Sequence, residues 1–155
     1  MSQATLLTLL EQAENERDAA RARLAQAEEA ARQGRAQAEQ LHAYREDYRR
    51  RAPALNGRAV SIELMRCHQG FMQRLDQAIE QQRGQVARLE QQVAAQRDVV
   101  QERELRVASV KKLLERRAQE ARRQAERLEQ RQTDETALRS AFNRPSVLGG
   151  LMQKH

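Results

Sequence analysis

The side chains that most often carry catalysis or bind metals are few in this chain and scattered along it. Histidines stand at His42, His68 and His155, and the one cysteine, Cys67, directly precedes His68. Adjacent residues point in different directions around a helix, so Cys67 and His68 are not expected to share a ligand. The sequence has no glycine-rich phosphate loop and no nucleophile with a base at a usable spacing. It therefore predicts a protein that is not an enzyme and that holds no metal and no cofactor.

Two tyrosines stand in a setting better suited to binding than to catalysis. The segment LHAYREDYRRRAPALNG, residues 41–57, contains Tyr44 and Tyr48, which are half of the aromatic residues of the chain. Residues four apart are neighbours on the surface of a helix. What the pair binds depends on the elements that hold it.

The composition predicts long helices. Only 3% of the residues are aromatic and 32% are charged, which leaves too little large apolar surface for an ordinary globular core. The dominant residue types are Ala, Glu, Gln, Arg and Leu, which lose little side-chain freedom in a helix.

Two stripes of residues recur at alternating spacings of three and four, which is the repeat of a coiled coil. The first stripe comprises Leu10, Ala13, Arg17, Ala20, Leu24, Ala27, Ala31, Gly34, Ala38, Leu41, Arg45 and Tyr48. The second comprises Leu64, His68, Phe71, Leu75, Ala78, Gln82, Val86, Leu89, Val93, Gln96, Val100, Arg103, Val107, Val110 and Leu114, and it continues more weakly through Ala121 and Leu128 towards Leu138. Small residues of the first stripe would let larger residues of the second approach closely. At Gly34 two explanations stay open, tolerance of a glycine in a long helix or a role in packing.

Signals for helix ends separate the stripes. Pro53 disfavours helical geometry at the residue before it, Asn56 and Gly57 indicate a turn, and Ser61 is a predicted N-cap. A connection this short returns the second helix antiparallel to the first. We predict an all-α fold, a two-helix antiparallel coiled-coil hairpin with the second helix longer and overhanging. The predicted hairpin covers residues 1–142, with helix 1 at about 3–51, a loop at 52–60, helix 2 at about 61–141 and a flexible tail at 143–155.

The predicted pairing places Tyr44 beside His68 and Leu41 beside Phe71. It leaves the second helix without a partner beyond about Val107. The net charge of +6 is concentrated in that region: residues 103–131 hold ten basic and five acidic side chains, while residues 1–52 and 53–102 are neutral.

A basic helix without a partner favours binding to an acidic protein or to a nucleic-acid backbone. Nucleic acid is the weaker alternative, because acidic side chains interrupt the basic run and no aromatic residue is placed among them to stack on a base. The acidic residues of this run are Glu104, Glu115, Glu120, Glu126 and Glu129.

The sequence favours a cytoplasmic protein. The start, MSQATLLTLLEQ, lacks the basic and apolar regions of a signal peptide, and no window approaches the length of apolar sequence that a membrane span needs. A single cysteine allows no internal disulfide, which suits the same compartment.

Tyr44 falls one position off the first stripe, and a buried tyrosine needs a partner for its hydroxyl. The tyrosines beside Leu41 and Phe71 therefore indicate a surface offered to another protein. LHAYREDYR followed after a short break by FMQRLDQAIEQQR resembles the paired motifs of the flagellar export protein FliJ family. The resemblance extends over about residues 1–142 in layout and is specific over about residues 37–83.

The resemblance implies a stalk-like coiled coil of the flagellar type III export apparatus. Its partners would be the hexameric export ATPase FliI, the cytoplasmic domain of the export gate protein FlhA, and export chaperones, which it escorts. The gate-binding positions of the family correspond here to Gln37, Leu41, Tyr44, Tyr48, Phe71, Leu75, Ala78 and Gln82. At Gln82 this chain departs from the family pattern, in which a histidine is usual. The basic residues expected to bind the ATPase are Arg103, Arg106, Lys111, Lys112, Arg116, Arg117, Arg122 and Arg123.

The family also implies a position. The protein would lie at the cytoplasmic face of the inner membrane at the flagellar base, touching the membrane only through the export apparatus. Two alternatives remain at this point, the equivalent stalk of a virulence injectisome and a structural or nucleic-acid-associated basic coiled coil.

Overall fold

The chain forms two long helices. The computed structural model describes residues 2–56 and 61–144, with side chains at 2–51 and 61–144. Helix α1 covers Gln3–Asn56 and helix α2 covers Ile62–Asn143. Arg45 of α1 bonds to Asp76 of α2, whereas Arg21 of α1 bonds to Glu104, so the helices run antiparallel. The predicted all-α hairpin with a longer second helix is confirmed.

Serine hydroxyls cap the start of both helices. The backbone N–H of Leu64 donates to Ser61 Oγ at 3.3 Å, and the N–H of Thr5 donates to Ser2 Oγ at 3.1 Å. Each bond satisfies an N–H group that has no partner within its helix. The predicted N-cap at Ser61 is confirmed.

The helix boundaries differ from prediction at the end of α1. This helix continues to Asn56, past Pro53, instead of ending near Arg51. A proline biases the preceding residue away from helical geometry without excluding it. Helix α2 ends at Asn143, close to the predicted boundary. Residues 57–60 of the predicted loop and residues 145–155 of the predicted tail lie outside the described residues.

The chain divides into two compact units. The first, which we call the hairpin unit, is Leu10–Ala108. The second, which we call the terminal unit, combines Met1–Leu9 with Ser109–His155.

The two stripes form the contact, or seam, of the hairpin unit. Every stripe residue from Leu10 to Tyr48 and from His68 to Val107 is buried or half-buried. Alanines of α1 are among the most buried residues, with Ala20 at 2% and Ala31 at 1% exposure. Leu64 was predicted to begin the second stripe, but it is 50% exposed. It lies one turn nearer the connection than His68, the first residue of α2 that contacts an aromatic ring of α1.

The register of the hairpin differs from prediction by one to two helical turns near the connection. The ring of Tyr48, not Tyr44, stacks on His68, with centroids 4.9 Å apart, and it also contacts Phe71 at 4.4 Å. The predicted pairs of Tyr44 with His68 and Leu41 with Phe71 were therefore wrong. The prediction counted residues outward from a helix end at Arg51, whereas α1 runs on to Asn56.

The terminal unit holds one small cluster and a long exposed helix. Leu6 is 4% exposed and lies in a shallow groove with Leu113. The second stripe stays half-buried as far as Leu114, two turns beyond the predicted limit at Val107. Every residue from Glu115 to Arg144 is exposed, so the weaker continuation of the stripe contributes no buried residue to the described part of the chain.

Gly34 has a packing role. A Cβ atom at this position would lie 2.8 Å from Leu89 Cδ1 and 3.6 Å from Val86 Cγ2. The absent side chain thus leaves a notch that Leu89 fills from the facing helix. At the same level Gln82 Nε2 donates to the Gly34 carbonyl oxygen at 2.9 Å.

Because of the notch, we predict different changes in stability for two glycine-to-alanine substitutions. At Gly84 nothing lies within 4 Å of an added Cβ, so Gly84→Ala should raise the free energy of unfolding by about 0.4–1 kcal/mol through helix propensity and chain entropy. Gly34→Ala should lose this gain, because Leu89 has to move. We expect urea unfolding to place Gly34→Ala at least about 1 kcal/mol below Gly84→Ala. Equal stabilisation by both substitutions would show that the notch has no packing role.

Candidate partner-binding surfaces

The reactive side chains remain dispersed in the structure. Cys67 is exposed, while the His68 ring is half-buried against Tyr48 and leaves its Nδ1 atom without a hydrogen-bond partner. His42 is exposed, and His155 lies outside the described residues. No group of three His, Cys, Asp or Glu side chains among the described residues could hold a metal ion.

The first candidate surface is the tyrosine strip, defined by the eight residues that the resemblance predicts to bind the export gate. Of these, Tyr44 and Gln37 are exposed, with Tyr44 at 64%. Leu75 is only 8% exposed. The remaining five positions, all half-buried, are Leu41, Tyr48, Phe71, Ala78 and Gln82. Most of the strip thus lies in the seam, and its freely accessible part centres on Tyr44.

The two tyrosines have different roles. Tyr48 packs its ring between the helices, where His68 and Phe71 cover part of it. Tyr44, one turn earlier on α1, makes no hydrogen bond or ring contact with any described residue. The expectation that Tyr44 is exposed is confirmed, and Tyr48 belongs to the seam.

Gln82 uses its side chain within the hairpin. Its amide nitrogen donates to the Gly34 carbonyl at 2.9 Å and lies 3.3 Å from Gln37 Oε1. Gln37 is therefore the exposed member of this pair, and Gln82 is half-buried.

Three further apolar side chains, which the heptad spacing does not mark as a surface, are exposed at the start of α2. Ile62 is 71% exposed, Leu64 is 50% exposed and Met65 is 47% exposed. Ile62 and Met65 are three residues apart and so share a face of the helix. In the sequence these residues precede His68. In the structure His68 is the first residue of α2 that contacts an aromatic ring of α1, so the side chains before it stay exposed.

The second candidate surface is basic and falls into two groups. Arg103 and Arg106 both pair with Glu16 of α1, at 3.5 Å and 2.9 Å, so they are engaged within the hairpin unit. The other six predicted basic residues are exposed and form no ion pair with any described residue. They are Lys111, Lys112, Arg116, Arg117, Arg122 and Arg123.

Two of these unpaired arginines border the groove of the terminal unit. Arg116 and Arg117 line it with Glu120, and its apolar part is formed by Leu6 and Leu113. Leu113 is 47% exposed. The groove therefore offers an apolar contact beside two unpaired positive charges.

Neither described helix contains an apolar stretch of the length and composition required to cross a lipid bilayer.

These features define a class of protein: an all-α, two-helix antiparallel coiled-coil hairpin with a longer second helix. A comparison with known families identifies the class further, because residues 2–146 match the model described as "FliJ: Flagellar FliJ protein". The chain belongs to this family and is a component of the flagellar type III export apparatus, in which the family has a non-enzymatic role. Searches of curated proteins and of solved structures gave no significant match.

The family assignment confirms the predicted resemblance to the flagellar FliJ family. The assignment of the tyrosine strip and of the basic residues to particular partners stays a prediction.

The difference between the two tyrosines predicts different effects of the same truncation. Tyr44→Ala should change the free energy of unfolding by less than about 0.5 kcal/mol, because the ring is exposed. Tyr48→Ala should cost at least about 1 kcal/mol, because it removes two ring contacts and half-buried apolar area. Thermal or urea unfolding of the two variants provides the measurement. A loss for Tyr44→Ala as large as for Tyr48→Ala would place Tyr44 in the core and remove it from the candidate surface.

Proposed function

We propose that the chain acts as a stalk linking two parts of the export apparatus. The terminal unit binds the hexameric ring of the export ATPase, a FliI-like protein. The tyrosine strip binds the cytoplasmic domain of the export gate, a FlhA-like protein. These contacts promote substrate export, and the chain escorts unladen export chaperones between cycles.

The ATPase contact rests on one observation, the contrast between paired and unpaired basic residues of α2. Arg103 and Arg106 share Glu16. From Lys111 to Arg123, by comparison, the six basic side chains of the candidate surface have no ionic partner among the described residues. Exposed unpaired cations attract an acidic surface at little desolvation cost. We therefore assign the ATPase contact to these six residues and give Arg103 and Arg106 a structural role.

Arginine side chains suit contact with the hexameric ring of the ATPase. One stalk inside a hexamer has to meet several subunits in turn, so each contact should be weak and replaceable by the next. Exposed ion pairs contribute only about 0–1 kcal/mol each. The fork of donors on Arg116 and Arg117 can engage carboxylates in several orientations, and the neighbouring Leu113 adds a small apolar contact.

The gate contact rests on Tyr44. An exposed tyrosine offers a large, rigid apolar face and a hydroxyl, the combination that is frequent where proteins bind each other. Gln37 is the second exposed member of the strip. The other six positions contribute mainly by fixing the shape and spacing of the surface on which Tyr44 stands.

The family description favours the flagellar system over the virulence injectisome. The protein is proposed to work in the cytoplasm at the inner-membrane face of the flagellar base. Chaperone escort enters this proposal from the family resemblance alone.

Removing the unpaired arginines should weaken ATPase binding selectively. The quadruple variant Arg116→Ala/Arg117→Ala/Arg122→Ala/Arg123→Ala should lower affinity for the purified export ATPase at least about tenfold and reduce its stimulation. Circular dichroism should show the helices retained, because every substituted side chain is exposed. Gate binding should stay unchanged.

The matched control removes arginines from exposed positions of the hairpin unit. The double variant Arg23→Ala/Arg88→Ala should bind the ATPase as the unmodified chain does, and the double variant Arg116→Ala/Arg117→Ala carries the same change in net charge. If the two doubles weaken binding equally, total charge and not the terminal unit controls the interaction. Duplex DNA, tested at the same salt concentration, distinguishes a general polyanion-binding protein from one that selects the ATPase.

Salt should separate the two proposed contacts. The Debye length falls from about 10 Å at 0.1 M to about 3 Å at 1 M ionic strength. ATPase binding through exposed arginines should therefore weaken strongly over this range, whereas gate binding through Tyr44 should change little. Isothermal titration of both partners across the salt series measures the difference. Equal salt dependence would contradict the assignment of one contact to charge and the other to an aromatic side chain.

A further inference from the structure

One flank of the seam in the hairpin unit carries three ion pairs between the helices. Arg21 Nη2 lies 3.0 Å from Glu104 Oε1. One heptad along, Arg97 Nη2 lies 3.8 Å from Glu28 Oε1. A further heptad along, Arg35 Nη1 lies 3.5 Å from Glu90 Oε1. We call this set the charge ladder.

The sign of the charge alternates along both sides of the ladder. At intervals of seven residues α1 carries Arg21, Glu28 and Arg35. At the same intervals α2 carries Glu90, Arg97 and Glu104, preceded by Arg83. Because the signs alternate, each pair is attractive in the observed register and repulsive in either register one heptad away.

A slip of one heptad in either direction reverses every available pair. In one direction Arg21 would face Arg97, and Glu28 would face Glu90. In the other direction Glu28 would face Glu104, and Arg35 would face Arg97. Like charges brought directly opposite each other repel, so both neighbouring registers lose three attractions and gain repulsions.

The apolar seam discriminates poorly between registers that differ by one heptad. Its stripes repeat every seven residues, and a slip of seven places stripe residues opposite stripe residues again. The alanine side chains along α1 are small, so many different side chains of α2 can pack against them. The Gly34 notch opposes slippage at one level of the seam, whereas the ladder opposes it over three.

We infer that the charge ladder selects the register of the hairpin. Its members act as positioning residues: each exposed pair adds little to stability, but together they discriminate between registers. Charged residues that flank a coiled-coil seam are known to set partner choice and orientation. In this chain they choose between alignments of two helices already joined by a connection.

The register has consequences for both candidate surfaces. It decides that Tyr48 packs on His68 and Phe71, which leaves Tyr44 exposed one turn away. A slip of one heptad would also change by seven residues the length of α2 that has no partner helix. The inference about the ladder does not depend on the proposed partners, because it concerns the isolated chain.

Reversing the ladder on one helix tests the inference. The triple variant Arg21→Glu/Glu28→Arg/Arg35→Glu makes all three pairs repulsive in the observed register and attractive in the registers one heptad away. Reversing α2 as well, with Glu90→Arg/Arg97→Glu/Glu104→Arg, restores attraction in the observed register. A control triple, Arg23→Glu/Glu29→Arg/Arg32→Glu, makes the same net change in charge at exposed positions outside the ladder, and it keeps the Arg32–Glu29 pair with its signs exchanged.

Spin labels measure the register directly. Cys67 is exposed and is the only cysteine, so one added cysteine at exposed Ala25 completes a pair of label sites within the hairpin unit. A slip of one heptad moves the helices by about 10 Å along their axes, which pulsed electron spin resonance resolves. Each variant is compared with the Ala25→Cys parent, and circular dichroism reports helix content.

The triple variant should shift the distance by about 10 Å, or lose helix content. The six-substitution variant should recover the parental distance, and the control triple should keep it. An unshifted distance in a folded triple variant would overturn the inference. Failure of the six-substitution variant to recover a defect of the triple variant would overturn it as well, because the defect would then not arise from the pairing of charges.

Discussion

The structure depends on the close approach of a small-residue stripe on α1 to a large-residue stripe on α2. Ala20 and Ala31 are almost fully buried, and Val93, Val100 and Val107 are the most buried valines facing them along the seam. Each contact is small, and no bulky side chain is fully enclosed. The hairpin thus obtains its stability from many similar contacts repeated along its length, which is typical of a coiled coil. Repetition is also its weakness, because similar contacts do not distinguish one alignment from the next.

The non-repeating features supply that distinction. Gly34 and Leu89 fit together at one level, Gln82 donates to the Gly34 carbonyl, and alternating charges follow one flank. The hydrogen bond to the Gly34 carbonyl and the exposed ion pairs contribute modestly to stability. Their free energy nevertheless changes when the register changes, whereas the packing of alanines against valines is similar in each register. The same alignment determines which aromatic residues are covered and which are available to a partner.

Much of the fold could be predicted from the sequence, because heptad spacing, a proline and an N-cap serine are local signals. The spacing identified the seam residues from Leu10 to Tyr48 correctly, and it placed Tyr44 outside the seam. The register could not be predicted this way, since it required the end of α1, and helical geometry persists past Pro53 to Asn56. Local sequence also could not reveal that Arg103 and Arg106 share Glu16 while later arginines have no such partner, because that difference arises from residues almost ninety positions apart.

The unpaired basic part of the terminal unit is proposed to bind the ATPase of the flagellar export apparatus. Hydrogen–deuterium exchange of the full chain, alone and with the assembled export ATPase, tests it most directly. A helix whose residues are all exposed from Glu115 to Arg144 should exchange rapidly when free. The account predicts that the ATPase slows exchange in residues 111–131 and leaves residues 70–100 unchanged. Protection confined to the hairpin unit, with rapid exchange persisting in residues 111–131, would contradict it.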